Sequence, residues 1–272
     1  MTAWLDIQRG TAPLIVAMPH TGSEIPADIE ETLVSPELAR KDTDWWVDRL
    51  YDFAVALGAT TLRTRVSRTV IDANRDPSGA SLYPGQTTTA LCPIASFDGE
   101  PLYHAGMEPN EAEIARRRTL YFDPYHAALT REVERLRGHH DRIVLYDAHS
   151  IRSLVPRLFD GLLPHFNIGS NRGAACHTTL TTAVERVCAA SSFSHVVNGR
   201  FVGGWTTRHY GQPQKGIHAI QMELACRGYM TETVENWPPA FDPVQAAPLK
   251  AVLIGIVETA IEFAHARTPR PT

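Results

Sequence analysis

Two histidines stand at the ends of short apolar runs, the place where an α/β protein gathers its chemistry. Pro19-His20-Thr21-Gly22 directly follows the run 14–18, and Asp147-Ala148-His149-Ser150 directly follows the run 142–147. A histidine at a strand end beside a turn glycine suits a metal ligand or a catalytic base. Singly, each is equally well explained as a hydrogen-bonded loop residue; as a pair they point to a site. If the second strand continues, Asp147 and His149 project to the same side, so the carboxylate can fix the ring's tautomer, as it does beside metal-bound imidazoles. Two histidine ligands are usually joined by one carboxylate, with the fourth position left for water. Glu24, Asp42, Asp44 and Asp48 all follow His20 closely. Asp44 is taken as the third ligand, although spacing does not separate it from the other three, and any of them also suits a helix amino terminus. The implied cofactor is a divalent metal, zinc first, in a ligand set that accepts several such ions.

Three further groups have types that fit such a centre. Arg68 and Arg75 bracket the run 69–73, and Asn74 precedes the second of them. A guanidinium matches a carboxylate bidentately and can also face an oxyanion; surface ion pairing is the plain alternative. Glu223 closes the apolar segment 217–224, where an unpaired acid is costly to desolvate. Proton transfer with a metal-activated water is a task that justifies it, and a salt bridge to Arg227 is the competing explanation. The segment Gly203-Gly204-Trp205-Thr206-Thr207-Arg208-His209-Tyr210-Gly211 is bounded by glycine and dense in donors, like a substrate-covering loop. Gly204 and Arg208 are its candidate substrate contacts.

These residues need elements to position them. Apolar runs at 14–18, 60–64, 69–73, 142–147, 166–170, 195–197 and 217–224 read as strands. Ser35-Pro36 opens a helix whose stripe of Leu38, Trp45, Val47, Leu50 and Phe53 runs toward Gly58. Further helices are expected over 108–137, interrupted near Pro124, over 173–190 and over 244–265. Strands alternating with helices imply an α/β fold, three α/β/α layers around a mostly parallel mixed sheet, with ligands beyond the carboxyl ends of the strands.

Composition sets outer bounds. The 272 residues, 43% hydrophobic and 21% charged, fit one domain over 1–272 with a substantial core. A net charge of −4 without a basic run gives no support to nucleic-acid binding. Residues 1–10 lack the features of a signal peptide, and no stretch approaches the roughly 18 uninterrupted apolar residues of a membrane span, so a cytoplasmic protein with no membrane contact is expected. Cys92, Cys176, Cys188 and Cys226 are scattered and read as buried thiols. There is no G-x-S-x-G elbow, P-loop or G-x-G-x-x-G fingerprint. Nothing in the sequence states the oligomeric order.

Taken together, PHTGSEIP, DTDWWVDRLYDFA, SRTVIDANRDP, LYDAHSI, NIGSNRGAAC, GGWTTRHYG and IQMEL resemble the N-formylglutamate amidohydrolases, in the expected order over residues 13–230. The resemblance implies a phosphorylase/hydrolase-like fold related to the zinc carboxypeptidases, and hydrolysis of N-formyl-L-glutamate to glutamate and formate in histidine breakdown. It implies His20 and His149 as metal ligands and Glu223 as general base. Asn74-Arg75 is similar to the pair that holds a substrate α-carboxylate, with Arg68 facing the oxyanion or the side-chain carboxylate. The carboxypeptidase pattern places its acidic ligand three residues after the first histidine, and Ser23 stands there instead. The same residues would serve a zinc-dependent hydrolase of another N-acyl acidic amino acid. Outside enzymes, they would serve a protein that binds metal or amino acid without cleaving.

Overall fold

A computed structural model describes residues 4–81, 85, 88–233 and 237–266. Its strands are β1 (Leu5–Gln8), β2 (Leu14–Met18), β3 (Thr60–Thr64), β4 (Ile143–Ile151), β5 (Phe166–Gly169), β6 (His195–Val197) and β7 (Ile217–Ala225). All seven lie in one sheet of order β1-β3-β2-β4-β7-β5-β6. The β2/β3, β2/β4, β4/β7 and β5/β6 pairings are parallel; β1 on β3 and β5 on β7 are antiparallel. The expected mostly parallel mixed sheet is therefore what forms.

The helices are α1 (Ala27–Glu30), α2 (Pro36–Arg40), α3 (Val47–Leu50), α4 (Glu111–Arg117), α5 (Asp123–Arg137), α6 (Thr178–Ala189), α7 (Trp205–Tyr210) and α8 (Pro243–His265). The alternation of side chains along a strand divides them between the two faces. Val144 and Tyr146 of β4, with Ile220 and Met222 of β7, pack against α6 and α8. Ile143 and Leu145, with Ala219, pack against α5 through Tyr125, Leu129 and Leu136. Both faces of the central strands are thus dry, which explains why their amino-terminal halves are apolar, His218 of β7 apart. By length and composition α8 could cross a membrane, but its Leu249, Leu253, Ile256 and Ala260 are fully buried in the core.

Several expected elements differ. The single helix after Ser35 is two: Ser35 caps α2 through the Leu38 N–H at 3.1 Å, but the chain turns after Arg40. Trp46 adopts a left-handed backbone (φ 64°), and the Asp44 N–H donates to the His20 carbonyl, tying the turn to the end of β2. Residues 69–73 form turns rather than a strand. Their β-branched run imitates one, but the Ser67 hydroxyl and the Asp72 carboxylate accept from the N–H groups of Thr69 and Asn74, so the backbone bonds locally. The run 142–147 continues to Ile151, so His149 lies within the strand rather than after it. The helix expected from 173 begins at Thr178, after a tight turn over Asn171–Gly173. The interruption near Pro124 is a π-helical turn over Arg118–Phe122. The short edge strand β1 and the helix α1 carried too little periodicity to be expected.

Candidate metal centre and active site

The parity that buries Ile143, Leu145 and Ala219 under α5 puts Asp147, His149, Gln221 and Glu223 on that same face, two and four residues further along. Register places Asp147 beside Gln221 and His149 beside Glu223. The apolar half of each strand lies under the helix, and the polar half emerges past it at the carboxyl ends. β2 runs in the same direction, so His20, two residues beyond its end, arrives there too. Gly22 then lets the chain cross the backbone after β3: a Cβ there would stand 2.3 Å from the Val66 carbonyl oxygen.

His20, Asp44 and His149 are all buried, and one ligand atom from each lies within 4.8 Å of the others. His149 Nδ1 is 2.9 Å from Asp44 Oδ2, while His20 Nδ1 is 3.6 Å from the same oxygen and has no hydrogen-bond partner. On the outer side of each ring stands a second buried carboxylate. His20 Nε2 is 2.7 Å from Asp72 Oδ1, and His149 Nε2 is 3.0 Å from Asp147 Oδ1. The Asp72 carboxylate on Nε2 of His20 favours the tautomer that leaves its Nδ1 lone pair facing inward, and both rings turn Nδ1 toward Asp44 Oδ2. An orphaned buried nitrogen facing a carboxylate is costly unless a cation completes it. The three donors therefore fit a divalent ion. The four acids that followed His20 are now separated. Asp42 accepts from the Phe97 N–H and pairs with Arg152, Asp48 pairs with Arg63, and Glu24 pairs with Arg65 at the surface.

Charge compensation accounts for the burial of so many acids. Burial alone would raise the Asp44 carboxyl, but His20 and His149 hold it well below the usual carboxylate range. Asp72 is likewise held down, against its burial, by His20, Arg75 and Arg68. Burial disfavours protonation of His149, yet Asp147 and Asp44 raise its pKa far above the ordinary histidine value. Glu223 is the exception: burial pushes its carboxyl up to about 8, and the negative Asp44 and Asp147 add to the rise against His149 and Arg68. A carboxyl with its pKa near neutrality, next to a metal-capable centre, is tuned for proton transfer. Arg227, the alternative partner, is on the following turn, with its backbone N–H donating to Ser153.

Gln221 holds Glu223 in place. Its Oε1 accepts the Gly204 N–H at 2.7 Å, which leaves Nε2 to donate to Glu223 Oε2 at 3.2 Å. Gly204 precedes α7, so the expected covering loop is a short helix seated on the sheet's polar edge. Only glycine fits there, because a Cβ would lie 2.4 Å from Asn74 Nδ2. Asn74 is buried between the two: its Nδ2 reaches Asp147 Oδ2 at 3.1 Å and stands 2.8 Å from His149 Nε2, and its Oδ1 accepts the Thr206 N–H. Its amide is therefore oriented toward the inner histidine.

A small cavity lies over these groups, lined by His20, His149 and Glu223 and by three guanidinium groups, Arg68, Arg75 and Arg200. Arg68 is buried between Asp72 (2.7 Å) and Asp44 (3.4 Å), above the Phe97 ring. Arg75 is half-buried and donates to Thr89, with Asp72 at 3.6 Å. Gly204 and Asn74 belong to the lining; Arg208 does not, and its Nε turns back to the Gly203 carbonyl. Reasoning from sequence missed Asp72, Gln221 and Arg200. Asp72 had a signal, since it stands four residues after one arginine and three before another. Gln221 had one as well, two residues before Glu223 on the same strand face.

The model of the family described as N-formylglutamate amidohydrolase matches residues 12–230. N-formylglutamate deformylase of Pseudomonas aeruginosa is 44% identical over 264 residues, covering 97% of this chain and 98% of the relative. The protein of the same name from Pseudomonas putida is 43% identical and covers 98% of each. Among solved structures, an N-formylglutamate amidohydrolase from Ralstonia eutropha JMP134 superposes with a TM-score of 0.75 at 22% identity, over 96% of this chain and 97% of that one.

Proposed function

The chain belongs to the N-formylglutamate amidohydrolase family, and from that premise we propose that it hydrolyses N-formyl-L-glutamate to L-glutamate and formate at the cavity beneath α7. The observation that carries this reading is the convergence of His20, Asp44 and His149 with a raised-pKa Glu223 on the same wall. His20 Nδ1, His149 Nδ1 and Asp44 would hold a divalent ion, zinc by the preference of two imidazoles and one carboxylate. When bound, such an ion polarises the formyl oxygen and acidifies a water.

The chain's own groups supply the rest. Glu223 removes the proton from the attacking water and returns it to the amine nitrogen as the C–N bond breaks, so formate and an amine leave in balance. Gln221 keeps that carboxyl aimed into the cavity. Arg68, fixed by Asp44 and Asp72, presents positive charge to the oxyanion that develops on the formyl oxygen. Arg75 receives the substrate's α-carboxylate, with Asn74 on the same wall holding His149 and Gly204 letting the start of α7 pack against Asn74. Arg208 acts by bracing the turn before α7.

Formate release from N-formyl-L-glutamate by wild type and Glu223→Gln tests this directly. Glu223→Gln is expected to lose about 100- to 10,000-fold in kcat with little change in KM, the range a positioned general base contributes. Undiminished kcat in that variant would remove Glu223 from proton transfer.

A further inference from the structure

Arg75, the proposed carboxylate clamp, is itself held by Thr89. Leu91 is buried with Ile71 and Phe122, and its carbonyl accepts the Asp72 N–H at 2.7 Å. That bond anchors the chain beside residues 72–75 and brings Thr89, two residues before Leu91, against Arg75. Thr89 accepts three hydrogen bonds from the guanidinium. Its carbonyl takes Nε–H at 3.1 Å, and its hydroxyl oxygen sits between Nε at 3.1 Å and Nη2 at 2.9 Å. Asp72 stands 3.6 Å from Nε, beyond hydrogen-bond reach, and its carboxylate already engages His20 and Arg68 at 2.7 Å. Thr89, and not the nearby anion, therefore sets the fork.

A guanidinium presents a side edge, Nε–H with one Nη2–H, and an end edge formed by its two Nη groups, and either edge matches a carboxylate. Thr89 occupies the side edge, which leaves the end edge for an anion in the cavity that both residues line. The acceptors on Thr89 are neutral, so they aim the fork without offsetting its charge. We propose that Thr89 is a positioning residue for substrate binding, fixing Arg75 so that its end edge receives the α-carboxylate. This rests on the reading of the site as an N-formylglutamate hydrolase. It adds that affinity for the α-carboxylate depends on the Thr89 hydroxyl as well as on the arginine. A guanidinium released from that hydroxyl regains rotamer freedom, which substrate binding must then remove.

The test compares N-formyl-L-glutamate with N-formyl-4-aminobutyrate, the same molecule with hydrogen in place of the α-carboxylate. Thr89→Val keeps the side-chain shape and the carbonyl but removes two of the three hydrogen bonds. It should raise KM for N-formyl-L-glutamate about 10-fold at nearly unchanged kcat, the scale of a hydrogen bond to a charged group. Its kcat/KM on N-formyl-4-aminobutyrate should stay within about twofold of wild type, which also proves the fold intact. Thr89→Ser, with the hydroxyl restored, should recover most of the loss, and Thr89→Val should cost nothing further in Arg75→Gln protein. An unchanged KM, equal losses on both substrates, no recovery in Thr89→Ser, or losses additive with Arg75→Gln would each overturn the assignment. Should Thr89→Val fail to fold, Thr89→Ala decides by the same comparison. If wild type hydrolyses neither compound, the hydrolase reading itself fails, and calorimetric binding of the same pair still decides Thr89. Weaker binding of N-formyl-L-glutamate alone in Thr89→Val supports the assignment, and equal weakening, no change or no binding refutes it.

Discussion

Replacing Asp147 with asparagine changes one charge and almost no volume, which makes it a sharp probe of how His149 is prepared. Asp147 is fully buried, with Oδ1 3.0 Å from His149 Nε2 and Oδ2 accepting from Asn74. Two tautomers compete at that ring. In one, Nδ1–H points at Asp44 and Nε2 accepts from Asn74, 2.8 Å away. In the other, Nε2–H points at Asp147 and the Nδ1 lone pair faces the point shared with His20 and Asp44. The Asp147 charge favours the second, metal-competent form, and an amide in its place favours the first. Outer carboxylates of this kind are worth about 10- to 100-fold in metal affinity, or about 1.4–2.7 kcal/mol. Competitive titration against a chromophoric chelator at pH 7.5 would measure it. Asp147→Asn should bind zinc 10- to 100-fold more weakly while its circular dichroism stays that of wild type. Unchanged affinity in a folded variant would mean that the outer carboxylate does not set the His149 tautomer, and the account of the centre would be wrong there.

Other outcomes follow from the same geometry. Because Asp147 and Asp44 raise the pKa of His149, a cation must displace a proton from that ring, so zinc binding should release protons and weaken as pH falls; pH-independent affinity between 8 and 6 would contradict this. His126, half-buried between the Ala73 carbonyl and the Tyr210 hydroxyl, is lowered to about 4 by desolvation. Its folded form binds fewer protons than the unfolded chain, so the stability it contributes is present above about 6.5 and lost as pH falls toward about 4. Urea midpoints should therefore drop with acid more steeply in wild type than in His126→Phe, and parallel slopes would refute the assignment.

Much of the site was legible from sequence because strand ends announce themselves. His20, His149 and Glu223 each terminate or closely follow an apolar run, and in a parallel sheet those ends must converge. The parity of 147 and 149, and of 221 and 223, carries the rest. The third ligand was not legible, since Asp42, Asp44 and Asp48 are equivalent until the left-handed Trp46 and the Asp44-to-His20 backbone bond aim one of them inward. Residues 69–73 misled for the opposite reason. Their β-branched character serves packing in small satellite clusters through Val70 and Ile71, not a ladder. Arg200 was illegible because nothing local distinguishes it, and it joins the cavity lining only through segments some 50 residues apart on either side of β5.

The central claim is that His20, Asp44 and His149 make one metal centre on which formate release depends. Metal-free protein titrated with zinc, while formate release from N-formyl-L-glutamate is followed, tests it most directly. Activity should rise linearly and stop at one equivalent per chain, and His20→Ala should neither bind that equivalent tightly nor recover turnover. Full turnover in protein stripped of metal, or an unaltered titration in His20→Ala, would contradict the account.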